Sequence, residues 1–278
     1  MEATTKTALA NELNISRSSL YYKPKLPNKD LVLKAAIEAV WEGPDGFPEY
    51  GHKRLAIELK VNKKRVLRVM KHFGIQPPRR RLKKPTKPED RNQEEAPYPN
   101  LIKGMCPIAP HVVWVADFTY IPFQGNFFFL ATVIDLFTRE IVGWHILSVH
   151  TASLIKGAFE DATKRSTKLP LYHHSDQGSE YKELEHLKRV GNLGIAVSMS
   201  KKASPWENGT QESFFSNFKL ELGDSNRFEH KGELIAEIHR LIHRYNTKRI
   251  HTSLKMSPLK FAEHFYRKRA LQSSERVC

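Results

Sequence analysis

Cysteine is nearly absent: Cys106 and Cys278 are the only two in 278 residues, far apart and outside any metal-ligand spacing. Neither a disulfide framework nor a zinc finger is therefore expected. Long apolar runs are missing as well. The longest, FFFLATVI, is too short to cross a bilayer, and no basic stretch followed by an apolar segment opens the chain, so the sequence reads as intracellular. Acid is scarce relative to base, with 30 Asp and Glu against 45 Lys and Arg, giving a formal net charge of +15 and a pI near 9.7. Such an excess predicts contact with a polyanion, although many solvated surfaces are also basic. The 40% hydrophobic content is enough for two or three modules, one of them a domain of about 100 to 150 residues with its own core.

Three acids stand out in what is present. Asp117 lies in an apolar strand-like run, HVVWVADFTYIPF, and Asp176 ends another, LYHHSD, so both side chains are expected at the edge of a sheet. Glu212 opens a helical pattern, ENGTQESFFSNFKLEL. Any one of them alone is equally a turn former or an ion-pair partner. Three carboxylates crowded together repel, and a buried uncompensated anion costs several kcal/mol, so the set makes sense only with cations. Hard oxygen donors without cysteine favour Mg²⁺ or Mn²⁺, and two ions ~4 Å apart would clamp the attacking and leaving oxygens of a phosphodiester. Other candidates weigh less. Asp135, in VIDLFTREIVGW, reads as a hairpin turn; Glu180 and Glu183 read as the acidic start of a helix; His239 and His243, spaced i, i+4, read as a solvated or DNA-facing stripe.

The segments 114–120 WVADFTY, 174–181 HSDQGSEY, 205–219 PWENGTQESFFSNFK and 245–261 YNTKRIHTSLKMSPLKF together resemble the DDE transposases of bacterial insertion sequences, specifically the retroviral-integrase-like IS-three family. The resemblance covers the C-terminal two thirds of the chain. It implies that Asp117, Asp176 and Glu212 are the catalytic and metal-binding acids, and that Lys219 is the basic residue two helical turns beyond the Glu. Glu180 departs from the many relatives that carry Gln there, adding a spare acid near Asp176. The fold expected is α/β: a ribonuclease-H-like mixed-sheet catalytic core over 106–222, preceded by small all-α helix-turn-helix units and followed by a helical extension over 223–278. Strands are predicted near 111–123, 126–135, 139–148, 171–175 and 195–200, and helices over 151–166, 179–190 and 207–222. Beyond them an amphipathic helix carries Leu234, Ile238, Leu241, Ile242 and Tyr245, and a last one begins near Pro258.

Residues expected at DNA are placed by pattern. A period of 3.6 puts Asn208, Glu212, Ser216 and Lys219 on one polar face, opposite Phe214, Phe215, Phe218 and Leu222. The preceding loop brings Lys201 and Lys202, and Trp206 either stacks on a base or deoxyribose or anchors the loop to the core. A first helix-turn-helix-like unit over 1–27 is marked by Ala8, Leu9 and Leu13, a turn at Asn14 and a second helix capped by Ser16 that turns Arg17, Ser18 and Ser19 outward, suiting a major groove. A second unit over 28–75 puts Val66, Val69, Met70 and Phe73 inward and Arg65, Arg68 and His72 outward. A plain three-helix module with a basic surface is the alternative. A Pro-rich charged linker fills 76–105, and its Arg79, Arg80 and Arg81 either track a DNA backbone or belong to a solvated tether. Arg249 and His251 either contact phosphate or serve local capping.

The resemblance further implies cleavage of element ends to a 3′-hydroxyl and its transfer into DNA by a copy-out, paste-in route. It implies a homo-oligomer of at least two chains on paired terminal repeats with target DNA, an upstream-frame partner protein in some relatives, and a cytoplasmic, nucleoid-associated location. The alternatives are a DNA-binding regulator with an inactive core and a nuclease that cuts without joining.

Overall fold

The computed structural model describes residues 5–21, 27–43, 45–78, 97–201 and 208–274. The chain divides into two compact units, Met1–Pro77 and Pro78–Cys278.

The described part of the first unit is helical. α1 (Lys6–Glu12) opens where Thr5 Oγ1 accepts a hydrogen bond from the Ala8 N–H at 3.4 Å, and Asn14, with φ of 51°, turns the chain just beyond it. The next segment departs from the sequence expectation: Arg17–Tyr21 is a five-residue 3-10 turn, not an α-helix presenting Arg17. The Ser16 hydroxyl bonds those of Ser18 and Ser19 at 2.8 Å each and accepts from the Ser19 N–H at 3.3 Å. Local serine bonds of this kind compete with helix propagation. Next come α2 (Pro27–Glu42), α3 (His52–Glu58) and α4 (Lys63–His72), the last capped by Asn62, whose Oδ1 accepts from the Lys64 N–H at 2.8 Å. Leu33, Ile37, Leu55, Val66, Val69 and Met70 are buried, as the apolar periodicity requires.

The second unit is built on a five-stranded mixed sheet in the order β3-β2-β1-β4-β5. β1 (Val113–Phe123), β2 (Asn126–Asp135) and β3 (Ile141–Leu147) form an antiparallel meander, while β4 (Tyr172–Ser175) and β5 (Ala196–Met199) add in parallel beside β1. Parallel pairing needs crossover helices, supplied by α5 (Ala152–Arg165) and α6 (Leu184–Asn192). α7 (Gly209–Leu222), α8 (Lys231–Thr247) and α9 (Pro258–Ser274) complete the order.

Alternation along β1 splits the core in two. Val113 and Val115 face Phe214, Phe215, Phe218 and Leu222 of α7 and Leu234, Ile238, Leu241 and Ile242 of α8. Trp114 and Ala116 face Leu154, Ile155, Ala158 and Phe159 of α5 and Val190 of α6. The α5 backbone lies so close to β3 that a Cβ on Gly143 would sit 2.3 Å from Ala162 N, so glycine is required there. Asp135 is the turn residue expected: its carboxylate accepts from the N–H groups of His111, Phe137 and Thr138 at 2.6, 2.9 and 2.8 Å. The helix expected from 179 starts later, at Leu184, because Gly178–Lys182 forms a turn in which the Tyr181 N–H donates to Gly178 O at 3.1 Å. Glu180 therefore sits in that turn, and Glu183 is the residue before the helix. No helix among the described residues is long and apolar enough to cross a membrane.

Beneath α6, His173 and His186 face each other with ring centroids 5.6 Å apart, and none of their four ring nitrogens has a hydrogen-bond partner among the described residues. Burial lowers His186 from the ordinary 6.5 to about 4 and holds His173 well below 6.5. Between those values the unfolded chain binds protons that the folded one refuses, so these rings destabilise the fold as pH falls from 6.5. Burial raises Asp117 and Glu140 to about 7, which tilts the same range the other way, so a variant isolates the histidine contribution. Denaturant melts of His186→Phe against the parent, from pH 8 to pH 4, are expected to diverge by ~3 kcal/mol in favour of the variant at the acid end. Parallel curves would mean that the ring is solvated.

Candidate active site

β1 and β4 pair at Val113 with Tyr172, Trp114 with His173 and Val115 with His174, and then separate. Two residues beyond the last pair on each strand lie Asp117 and Asp176. Shared register thus carries both acids to the fork where parallel strands part, at the carboxyl end of β4 and beside β1, the strand with an antiparallel neighbour on one side and a parallel one on the other. Such switch points leave a crevice for ligands. Odd-numbered alternation turns Asp117 toward the α7 face. Asp117 Oδ1 accepts from the Phe118 N–H at 2.8 Å, and Asp176 Oδ1 from the Gly178 N–H at 2.9 Å.

α7 brings the third acid. Its anchor is Gln211, fully buried, whose Nε2 donates to Val115 O at 2.7 Å and Thr132 O at 3.1 Å while its Oε1 accepts from Thr132 Oγ1 at 3.0 Å. Thr132 is the β2 residue opposite Asp117, so this clamp fixes α7 beside that acid. Glu212, the next residue, is exposed and close enough for its charge to act on Asp117. Asn208 corrects the expected polar stripe: it is buried, and its Nδ2 donates to Ala116 O at 3.4 Å, the carbonyl preceding Asp117. It positions strand and helix and is not open to DNA.

Electrostatics report the crowding. Asp117 is raised from 3.8 to about 7, first by burial, then by the Asp176 charge, with the Phe118 N–H opposing and Glu212 adding. Asp176 is raised too, by burial foremost, with the Gly178 N–H and Lys182 opposing and Glu180 adding. Behind them, Tyr181 is buried and its phenol is pushed well up by burial, then by Asp117, Asp176 and Glu180. Glu180 Oε1 lies 3.2 Å from His150 Nε2. Among the described residues no three His, Cys, Asp or Glu side chains converge as a ready-made metal cage, and Glu212 is exposed. The donor set nonetheless suits a hard divalent cation, being all carboxylate oxygen with Asp117 held near neutrality for want of a countercharge.

The remaining expected contacts divide sharply. Lys219 lies with Nζ 4.2 Å above the Tyr120 ring, and Arg17 and Lys201 are exposed. Arg68 Nη2 bonds both Asp30 oxygens, at 2.7 and 2.9 Å, and Arg65 donates to Lys29 O at 3.1 Å. Arg249 is a correction: only 3% exposed, its Nε pairs with Glu221 Oε1 at 2.5 Å, so it braces the end of α7 and cannot reach a surface phosphate. His251 is half-buried, its N–H donating to Met256 O at 3.0 Å in a local bridge. Lys202, Trp206, Arg79, Arg80 and Arg81 lie outside the described residues. Sequence reasoning missed Gln211 and Tyr181; the only signal for Gln211 was its place one residue before Glu212.

Comparison with known proteins accords with this geometry. The Integrase core domain family matches residues 107–205, and a second family of the same description matches 193–258. The transposase for insertion sequence element IS904 of Lactococcus lactis is 35% identical over 231 residues, covering 80% of this chain and 90% of that protein. The putative transposase InsK for insertion sequence element IS150 of Escherichia coli K12 is 27% identical over 271 residues, 93% of each. A chain in the structure of the simian T-cell lymphotropic virus intasome in complex with PP2A regulatory subunit B56 gamma aligns over 77% of this chain and 70% of its own with a TM-score of 0.51 at 14% identity, a likeness of fold. The sheet, with its flanking helices, is ribonuclease-H-like. The chain belongs to the DDE transposases of bacterial insertion sequences, enzymes with an integrase core.

Because its folded value lies above the ordinary one, Asp117 binds a proton that the unfolded chain releases between pH 3.8 and about 7, so ionisation costs stability that grows with pH over that window. Asp117→Asn is expected to raise the stability of metal-free protein at pH 8 by ~4 kcal/mol at most, and by almost nothing at pH 4. Chemical denaturation at the two pH values checks it; an equal gain at both would assign the effect to packing.

Proposed function

We propose that Asp117, Asp176 and Glu212 are the catalytic acids of a metal-dependent DNA strand-transfer site. The observation that carries the reading is the register that sets Asp117 opposite Asp176 at the strand fork, with Glu212 on the clamped α7 within electrostatic reach. The three carboxylates would hold two Mg²⁺ or Mn²⁺ ions. Such ions, when bound, lower the pKa of an attacking oxygen and neutralise the phosphate.

The chain's own part is positional. Backbone N–H groups of Phe118 and Gly178 orient one oxygen each of Asp117 and Asp176. Asp117 gives up its proton before it can ligate, and that proton passes to solvent. Water oxygen then attacks phosphorus at the element end, the P–O3′ bond breaks, and a 3′-hydroxyl is left. In a second displacement that hydroxyl attacks another phosphodiester, forming a new P–O3′ bond as the old one breaks and its 3′-oxygen takes a proton. Both steps are in-line displacements, so one centre serves both.

A copy-out, paste-in route, a homo-oligomer of at least two chains on paired element ends, and recognition of those ends by a helix-turn-helix unit within residues 28–75 complete the proposal. Lys219 and Lys201 are the described cations suited to phosphate, and an upstream-frame partner and a cytoplasmic, nucleoid-associated setting are consistent with the family. With Mg²⁺ and labelled DNA carrying the element's termini, Asp117→Asn and Glu212→Gln are each expected to lower joined product by on the order of 10³-fold or more, with end binding retained. Cleavage without joining by the parent protein would turn the assignment to a nuclease, and binding without either product would turn it to a regulator.

A further inference from the structure

The β1–β2 hairpin exposes aromatic rings on the sheet face opposite the one toward which Asp117 turns, along the same strand. Register pairs Phe118 with Ala131, Tyr120 with Phe129 and Pro122 with Phe127, so Phe118, Tyr120, Phe127 and Phe129 share one face. His150 lengthens the row, its ring 4.6 Å from Phe118 and 5.1 Å from Phe129, nearly parallel to the latter at 23°. Tyr120 and Phe127 meet edge to face at 5.7 Å and remain 58% and 49% exposed. The row starts one residue from Asp117 and runs along the part of β1 that β4 has ceased to pair.

Cations frame the rings. Lys219 Nζ stands 4.2 Å above Tyr120, and a cleft of about 510 Å³ along Phe123–Phe129 has Lys231 and Ser148 in its wall. Aromatic faces alternating with lysines suit a strand whose bases are unstacked and whose backbone is anionic. Two half-exposed rings fall far short of the roughly 800 Å² per partner that a stable protein interface buries. Charge complementarity therefore selects nucleic acid.

We propose that this ledge stacks unpaired bases of the DNA strand flanking the scissile phosphate, with Tyr120 and Phe127 taking the base faces and Lys219 and Lys231 the backbone. The assignment rests on the strand-transfer reading of the neighbouring acids. It makes Tyr120 and Phe127 positioning residues that favour frayed ends over fully paired ones.

The test uses the full chain and two duplexes of one sequence, one blunt and one with three unpaired terminal nucleotides carrying 2-aminopurine, in a buffer with Ca²⁺ so that binding is read without turnover. Quenching of 2-aminopurine and tighter binding of the frayed duplex are expected for the parent. Tyr120→Ala and Phe127→Ala are expected to weaken frayed-end binding ~10-fold each and blunt binding less than twofold, whereas Tyr120→Phe, which keeps the ring, behaves as the parent. Equal loss on both duplexes overturns the ledge, as does a drop in oligomeric state with the frayed-to-blunt ratio unchanged, which would make this face a contact between copies. A parent that joins strands in Mg²⁺ but does not prefer frayed ends also overturns it while leaving the catalytic reading intact. Quenching without joining supports the ledge and counts against that reading.

Discussion

Everything around the crevice answers one electrostatic difficulty: two carboxylates fixed opposite each other at the end of a parallel strand pair, with a third nearby. In water such repulsion is a fraction of a kcal/mol per pair, but where burial lowers the effective dielectric it becomes several-fold larger. Asp117 shows the consequence, its carboxyl driven to about 7 by burial and by its neighbours. A strand pair of three residues cannot hold that arrangement alone; the sheet beyond it and the helices on both faces must.

α7 contributes most of that hold, and by polar as well as apolar means. Phe214, Phe215, Phe218 and Leu222 give it non-directional adhesion to the sheet, which would tolerate small rotations and slides. Gln211 removes that freedom, because three hydrogen bonds to β1 and β2 have one solution in space. At the far end of the helix the buried pair of Arg249 and Glu221 ties the chain after α8 back to α7. Such a pair adds little net stability against an apolar alternative, since desolvation cancels much of the attraction, but loss of either partner strands a buried charge. Its physical contribution is registry, the same service that Gln211 performs beside the acids.

Sequence patterns made most of the architecture legible. Alternation in HVVWVADFTYIPF and the 3.6 period of α7 and α8 identified which residues face inward, and Asp135 was readable as a turn because a carboxylate after an apolar strand has few other uses. Motif neighbours singled out Asp117, Asp176 and Glu212, and the strand register brings the first two to one fork. Three failures share one cause: hydropathy treats polar residues as outward. Asn208, Gln211 and Arg249 are polar and buried, each bonded to a carbonyl or carboxylate of another element. At Glu180 and Glu183 the acidic helix-start pattern lost to a tertiary demand, the burial of Tyr181 behind Asp117 and Asp176, which holds that stretch in a turn. The Ser16–Ser19 turn was misread for the opposite reason, local side-chain bonds overriding a helical pattern.

The three acids are not held alike, and the difference has a physical logic. Asp117 and Asp176 have short side chains, and each spends one oxygen on a neighbouring backbone N–H, so their directions are set by the strands. Glu212 is longer, exposed, and carried on a helix clamped by the residue before it. Leaving that carboxylate hydrated avoids adding a third uncompensated anion to the buried pair. The buried pair is thus directed by strands and the hydrated third acid by a helix, two ways of keeping like charges apart within one crevice.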